Sequence, residues 1–144
     1  MIRKIIGVVA GFIVGGISVS ILHTVGVMMY PLPADIARND MESLAEYMPN
    51  MPLGAFVMVW VAHGSGALVS AAVCTVIVAQ RWYVGAWILG VVYTLAGVAM
   101  AAMLPAPLWF EAVDVLLYIP LALASCYLVG SLFPDRTKVE PCED

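Results

Sequence analysis

Four long apolar runs constrain this chain more than any other feature of its sequence. They cover about residues 5–29, 53–79, 83–103 and 109–133, and charged side chains occur only near their ends. Roughly 20 apolar residues in a helix span the hydrocarbon core of a bilayer, so each run is long enough to cross it. Charged residues make up 11% of the chain, against about 25% in a typical soluble domain. The sequence therefore predicts an all-α, polytopic membrane protein, a four-transmembrane-helix bundle formed as one domain by residues 1–133.

The positions of the basic residues predict how the bundle is oriented. Five of the six fall on one side of a four-span chain, and one falls on the other: Arg3, Lys4, Arg81, Arg136 and Lys138 against Arg38. Loops rich in Lys and Arg remain in the cytoplasm. Both termini, including the short polar tail at residues 134–144, are therefore expected to be cytoplasmic.

The loop between the first two runs, residues 30–52, contains a helical pattern of its own. Asn39 and Glu42 fit a helix N-cap with its acidic partner three residues later. Apolar residues then recur at helical spacing, at Met41, Leu44, Ala45 and Met48. The pattern predicts a short amphipathic helix in the first outer loop. It could act as a solvated cap, as a docking face for a partner or as a funnel for cations.

Small residues recur at helical spacing in every apolar run. Helices in a membrane associate through such faces because small side chains let two backbones come close. The predicted packing residues are Gly7, Gly11, Gly15, Gly66, Ser70, Gly97 and Gly130. They would form a bundle of all four helices; alternatively, the Gly7–Gly11–Gly15 face could contact another subunit.

Four ionisable residues lie within the apolar runs, at His23, His63, Glu111 and Asp114. A charged group at the centre of a bilayer costs at least ~2.5–3.5 kcal/mol, so such residues are functional candidates by default. Helical spacing places Tyr118 on the same face as Glu111 and Asp114. It also predicts one face for Gly16, Ser20 and His23, and another for His63, Gly66 and Ser70. Together these faces predict a His–carboxylate cluster in the outer half of the membrane.

Three interpretations of this cluster are open. Its members could hydrogen-bond to one another and fix the register of the helices. They could form a proton or cation site, with Asp114 as the charged member and His63 as the deeper relay. They could also bind a metal through His23, His63, Glu111 and Asp114, but no HxxxH or ExxH spacing supports this, and we expect no bound metal.

Other function classes lack their usual sequence signals. Six Lys and Arg residues without a basic stripe are too few for nucleic-acid binding. The chain has no GxSxG, HExxH or GK[ST] motif and no paired cysteines, so neither catalytic residues nor a cofactor are predicted. We expect a small accessory or interaction protein of the lipid bilayer that packs with a membrane-protein partner or self-associates. The alternative is a small proton- or cation-linked transport protein that uses the His–carboxylate cluster.

The overall plan resembles a loose family of small bacterial four-span membrane proteins without assigned activity. The resemblance is carried by the YPLP segment at residues 30–33, the acidic loop that follows it and the PAPLWF segment at residues 105–110. It implies a multi-pass protein of the bacterial cytoplasmic (inner) membrane.

Overall fold

The computed structural model describes residues 1–34, 36, 40–104 and 106–133. Their helices are α1 (Ile2–Met29), α2 (Met41–Tyr47), α3 (Leu53–Val78), α4 (Tyr83–Met103) and α5 (Leu108–Gly130), with a 3-10 turn at Met48–Asn50. All four long helices are apolar and long enough to cross a membrane. The predicted all-α four-helix membrane bundle, with a short helix in its first loop, is thus confirmed. Some predictions concern Arg38, Asn39, Pro105 and the tail at residues 134–144, which lie outside the described residues.

Helix α3 is the centre of the bundle. It packs against α1, α4 and α5, while α5 packs against α3 and α4, and α1 lies mainly on α3. Half of the apolar window of α3 is buried, compared with 17% of that of α1. The buried side chains of α3 are mostly small, which allows three neighbouring backbones to approach it.

The contact between α1 and α3 is made by glycines. Gly7, Gly11 and Gly15 are the buried residues of α1. A Cβ atom on Gly11 would collide with the carbonyl oxygen of Ser70, and one on Gly15 would lie 2.6 Å from the carbonyl oxygen of Gly66. The glycine face is therefore used within the chain, against α3.

The face of α1 that carries Gly16 and Ser20 points away from α3, although it was expected to point into the bundle. A Cβ on Gly16 would meet nothing within 4 Å, and the exposed Ser20 donates its hydroxyl to the carbonyl of Gly16 in its own helix. His23 nevertheless faces α3. The three residues share a helix face, as predicted, but that face meets α3 only at His23. Its expected orientation into the bundle is wrong at Gly16 and Ser20, because Gly15 is the glycine that packs against α3.

The short loop helix begins one residue later than predicted. Its N-cap is Asp40, whose Oδ1 accepts a hydrogen bond from the Ser43 amide at 3.3 Å. The second oxygen, Oδ2, accepts one from the Ser43 hydroxyl at 2.6 Å. Glu42 and Glu46 are exposed, whereas Leu44 and Met48 are half-buried. The helix is thus amphipathic, with its apolar side toward the bundle.

The basic residues at the opposite end of the bundle lie close together. The Nε atom of Arg3 donates to the carbonyl of Ile77 at 3.2 Å. The ammonium of Lys4 lies 5.0 Å from the centre of the Trp82 ring, and Arg81 extends along Gly130, where a Cβ would collide with it. We call this end, which holds Arg3, Lys4 and Arg81, the basic end; the end that carries α2 is the loop end.

Candidate functional site

Three helices bring four polar side chains into one continuous row. His23 on α1 lies with its Nε2 3.0 Å from the Nε2 of His63 on α3. The Nδ1 of His63 lies 2.9 Å from Oδ1 of Asp114 on α5. Oδ2 of Asp114 accepts a hydrogen bond from the hydroxyl of Tyr118 at 2.7 Å. We call these four side chains, His23, His63, Asp114 and Tyr118, the polar chain.

The geometry of the polar chain fixes where its protons lie when Asp114 is ionised. A carboxylate only accepts hydrogen bonds, so Nδ1 of His63 carries a proton and donates it. The Nε2 atom of a neutral His63 is then an acceptor, and His23 must donate from its own Nε2. The remaining acceptor of the pair is Nδ1 of His23. Each link of the chain can thus pass a proton to the next.

Asp114 is the member of the polar chain whose charge depends most on these hydrogen bonds. Its side chain is 8% exposed and that of His63 20% exposed, and both lie within helices of membrane-spanning length. A carboxylate in such surroundings is stable only with hydrogen-bond donors or a compensating charge. Among the described residues, the donors to Asp114 are His63 and Tyr118.

Tyr118 is held in place by its neighbours on α4. Its ring stacks on that of Tyr93, with 6.3 Å between ring centres, and it fills the space beside Gly97, where a Cβ would lie 2.8 Å from the Tyr118 hydroxyl. Tyr93 in turn donates to the carbonyl of Phe12 on α1 at 3.2 Å. A residue larger than glycine at position 97 would push the hydroxyl away from Asp114.

Glu111 is bonded elsewhere, although it shares a helix face with Asp114. Its Oε1 accepts a hydrogen bond from the backbone amide of Ala106 at 2.9 Å. Glu111 stands in the first turn of α5, where the positive end of the helix dipole also favours an anion. Its carboxylate therefore ties the turn between α4 and α5 to the start of α5.

A cavity of about 360 Å³ opens beside the polar chain toward the loop end. Most of its walls are apolar, and Leu44 and Met48 of the loop helix form part of them. His23, His63, Glu111 and Asp114 supply the polar part of its lining. No sequence pattern indicates this cavity, because its walls come from every helix and from the loop. A polar chain on the wall of a cavity is accessible to a ligand, unlike one sealed in a core.

The arrangement does not suit a metal ion. Among the described residues, no group of three or more His, Cys, Asp or Glu side chains could hold one. Two of the four residues considered as ligands, His23 and His63, direct their Nε2 atoms at each other, and Glu111 is engaged by Ala106.

The fold and the site together define a multi-pass membrane protein with a buried His–Asp–Tyr chain beside an apolar cavity. No protein-family model, curated protein or solved structure matches the chain.

Proposed function

We propose that this membrane protein is a small proton- or cation-linked transport protein, and that its polar chain holds the exchanged proton. The observation that carries the proposal is the unbroken row of hydrogen bonds from His23 to Tyr118 on the wall of a cavity. Ionisable groups inside a membrane are costly, and they recur in proteins where they bind or relay protons and ions. Histidine is suited to this because its charge changes near neutral pH.

The proton would move along the chain by one transfer at each link. A proton taken up at Nδ1 of His23 lets that residue release its Nε2 proton to Nε2 of His63. His63 then releases its Nδ1 proton to Asp114, which becomes a neutral carboxylic acid. Each imidazole gains one proton and loses one, so the net change is the neutralisation of Asp114. The hydrogen bond from Tyr118 remains on Oδ2 throughout.

The row does not continue toward the basic end in the described residues. Beyond Tyr118, the hydroxyls of Tyr93, Ser125 and Ser70 all donate to backbone carbonyls, those of Phe12, Leu68 and Ala67. A proton that reaches Asp114 therefore has no onward hydrogen-bonded path in this conformation. This supports a carrier that binds a proton from one side at a time rather than an open proton channel.

The orientation that goes with this proposal has the cavity facing outward. Arg3, Lys4 and Arg81 share the basic end, opposite the cavity. The positive-inside rule assigns such an end to the cytoplasm. We therefore propose cytoplasmic termini, in the inner membrane of a bacterium, with the polar chain reached from outside.

Proton uptake by the polar chain is tested with 15N-histidine-labelled protein in lipid nanodiscs. Acidification is expected to change the tautomer signals of both His23 and His63 together, with reversible uptake of one proton. Asp114→Asn removes the terminal acceptor and should abolish the coupled change. Glu46→Gln is the matched control, since it removes the same charge from the exposed side of α2, outside the polar chain and the cavity lining. Identical titrations of the wild type and Asp114→Asn would refute the proposal.

Transport itself is tested in proteoliposomes that carry a pH-sensitive dye. The wild type is expected to dissipate an imposed pH gradient only when a counter-cation is supplied, because the polar chain is not an open path. Asp114→Asn should be inactive, and Glu46→Gln, which removes a charge from the exposed side of α2 away from the cavity, should be active. Gradient loss without any counter-cation would point to a channel instead.

The accessory role expected from the sequence stays a prediction. The exposed apolar side of α1 is suited to lipid as much as to a partner helix. Purification in a mild detergent tests this role. A stoichiometric partner or a stable homo-oligomer would support it, and an active monomer without a partner would contradict it.

A further inference from the structure

The cavity is larger than a proton or a bare ion requires. Its volume of about 360 Å³ lies within the range of roughly 300–1,000 Å³ typical of sites for small organic molecules. At ~30 Å³ per water it would hold on the order of ten water molecules, yet most of its lining is apolar. An apolar space of this size is suited to an organic body with few polar atoms.

The polar atoms that line the cavity are acidic or neutral. The described lining residues include Glu111 and Asp114 and no Lys or Arg. These two carboxylates stand three residues apart on α5, on one face of the helix. Arg3, Lys4 and Arg81, whose charges could offset them, lie at the basic end. The field in the cavity therefore favours a positive charge.

The charge state of the polar chain changes this field by one unit. Within the described part of the chain, the ionisable groups around Asp114 are His23 from α1, His63 from α3, Tyr93 from α4, and Glu111 and Tyr118 from α5. With one added proton the pair of His63 and Asp114 is neutral; without it, when Asp114 is ionised and His63 is neutral, the pair carries one negative charge. A monovalent cation in the cavity compensates the negative charge of the deprotonated pair. It also repels the extra proton of the neutral pair.

Aromatic rings add a second attraction for a cation. Phe56 and Phe110 line the cavity, and their ring centres are 4.9 Å apart. The ring of Trp60 stacks on that of Phe110, with 5.6 Å between ring centres, and its indole N–H donates to the Phe110 carbonyl at 3.3 Å. Ring faces attract organic cations, most strongly those with weak hydration.

We propose that the cavity binds a monovalent organic cation with a compact apolar body, a quaternary ammonium or a protonated amine, in exchange for one proton from the polar chain. The inference rests on the proposed function, which supplies the proton. The exchange is balanced: one cation is bound, one proton leaves, and the total charge of the site is unchanged. No bond other than N–H or O–H is made or broken.

Two probes of the same shape test the charge requirement. Benzyltrimethylammonium is a permanent cation, and neopentylbenzene is its neutral carbon isostere. Binding to the full-length protein in nanodiscs is followed by tryptophan fluorescence, since Trp60 lies beside the rings that line the cavity. We expect the cation to bind at least about tenfold more tightly than the isostere. Equal affinities would overturn the proposal, and this comparison uses the wild type alone.

Proton exchange is tested by the pH dependence of the same binding. Displacement of one proton raises the Kd of the cation by about tenfold for each unit of pH below the pKa of the site. In weak buffer, one proton should be released for each cation bound. A Kd that does not vary with pH, or binding without proton release, would overturn the exchange.

A pair of variants assigns the effect to the polar chain. Asp114→Asn should abolish both the preference for the cation and the release of a proton. Glu46→Gln removes the same charge from the exposed side of α2 and should change neither. If the wild type takes up a proton in the histidine titration but does not prefer the cation, the proposed function stands and the cation inference falls. If the cation is preferred but the titration shows no proton uptake, the proton-linked function falls.

Discussion

The hydroxyl of Tyr93 lies so close to Gly15 that a Cβ atom on that residue would collide with it. This close approach lets α4 reach across to α1, where the same hydroxyl donates to the carbonyl of Phe12. The ring of Tyr93 then supports Tyr118 at the inner end of the polar chain. The absence of a side chain at position 15 is therefore linked to the geometry around Asp114.

Gly15→Ala and Gly16→Ala are expected to have opposite effects. The added methyl at position 15 would meet Tyr93, the carbonyl oxygen of Gly66 and Cβ of Ser70, and overpacking of this kind costs about 1–3 kcal/mol. At position 16 it would meet open space, and alanine is favoured over glycine in a helix by up to about 1 kcal/mol. Unfolding in mixed micelles measures both. Similar effects at the two positions would contradict the glycine packing between α1 and α3.

Tyr118→Phe is expected to lower stability by about 0.6–2 kcal/mol, the range for hydrogen bonds between membrane helices. It removes one of the two donors to the buried Asp114 and leaves the packing of the ring unchanged. Tyr127→Phe is the control on the same helix, since Tyr127 is 55% exposed. Its effect should be within about 0.5 kcal/mol, as for surface substitutions generally. An equal loss in both variants would mean that the Tyr118 hydroxyl contributes nothing specific.

Ala79→Gly is expected to stabilise the turn between α3 and α4. Ala79 ends α3 with φ 57° and ψ 37°, in the left-handed region. This conformation costs a residue with a Cβ about 1–2 kcal/mol, and glycine escapes that cost, although it loses more entropy on folding. A net gain of roughly 0.5–1 kcal/mol should result. Ala10→Gly in the interior of α1 should instead lower stability by about 1 kcal/mol. A fall in Tm for Ala79→Gly would refute the argument.

The loop helix α2 is expected to unwind in acid through its N-cap. Hydrogen bonds from Ser43, and a weaker one from the backbone of Glu42, lower the pKa of Asp40 below its ordinary value of 3.8. A depressed folded-state pKa means that the cap stabilises α2 above pH 3.8 and is lost as the pH falls through the lowered value. Amide exchange at Ser43 reports this step.

Two variants of Asp40 separate the effect of its titrating charge from the effect of its N-cap hydrogen bonds. Asp40→Asn keeps a good N-cap without a titrating group, so α2 should persist with no acid step at this position. Asp40→Ala should fray the helix already at neutral pH. An acid step of the same size in Asp40→Asn would place its origin in another group.

The helices were largely predictable because hydrophobicity decides what lies in a membrane. The runs expected at residues 53–79 and 83–103 correspond to Leu53–Val78 and Tyr83–Met103. The run expected at residues 109–133 is the helix Leu108–Gly130. Proline and the loop composition marked the ends of the runs, and the helical spacing of Met41, Leu44, Ala45 and Met48 predicted α2. These features depend on local composition, which a single sequence contains.

Partners in the site were less predictable, because they depend on how the helices rotate against one another. His23, His63 and Asp114 could be assigned to the outer half of the membrane, but the order of their hydrogen bonds depends on how α1 and α5 pack on α3. Glu111 could not be separated from Asp114 by spacing alone, since the backbone amide of Ala106 that engages it carries no sequence signal. Gly15 and Gly16 are likewise identical by composition and differ only in the direction that they face.

The glycine contact of α1 has an evolutionary consequence. Three glycines make the closest contacts of α1 with α3, and Ser18 and His23 add hydrogen-bonded contacts. Most of the remaining surface of α1 is therefore constrained only to be apolar. Chains of common descent should therefore diverge freely along this helix while keeping G-x3-G-x3-G-x7-H, the pattern of Gly7, Gly11, Gly15 and His23. The same lineages should keep D-x3-Y in the last span, which is Asp114 and Tyr118 here. An alignment of such chains would then show a few conserved positions separated by apolar residues that vary.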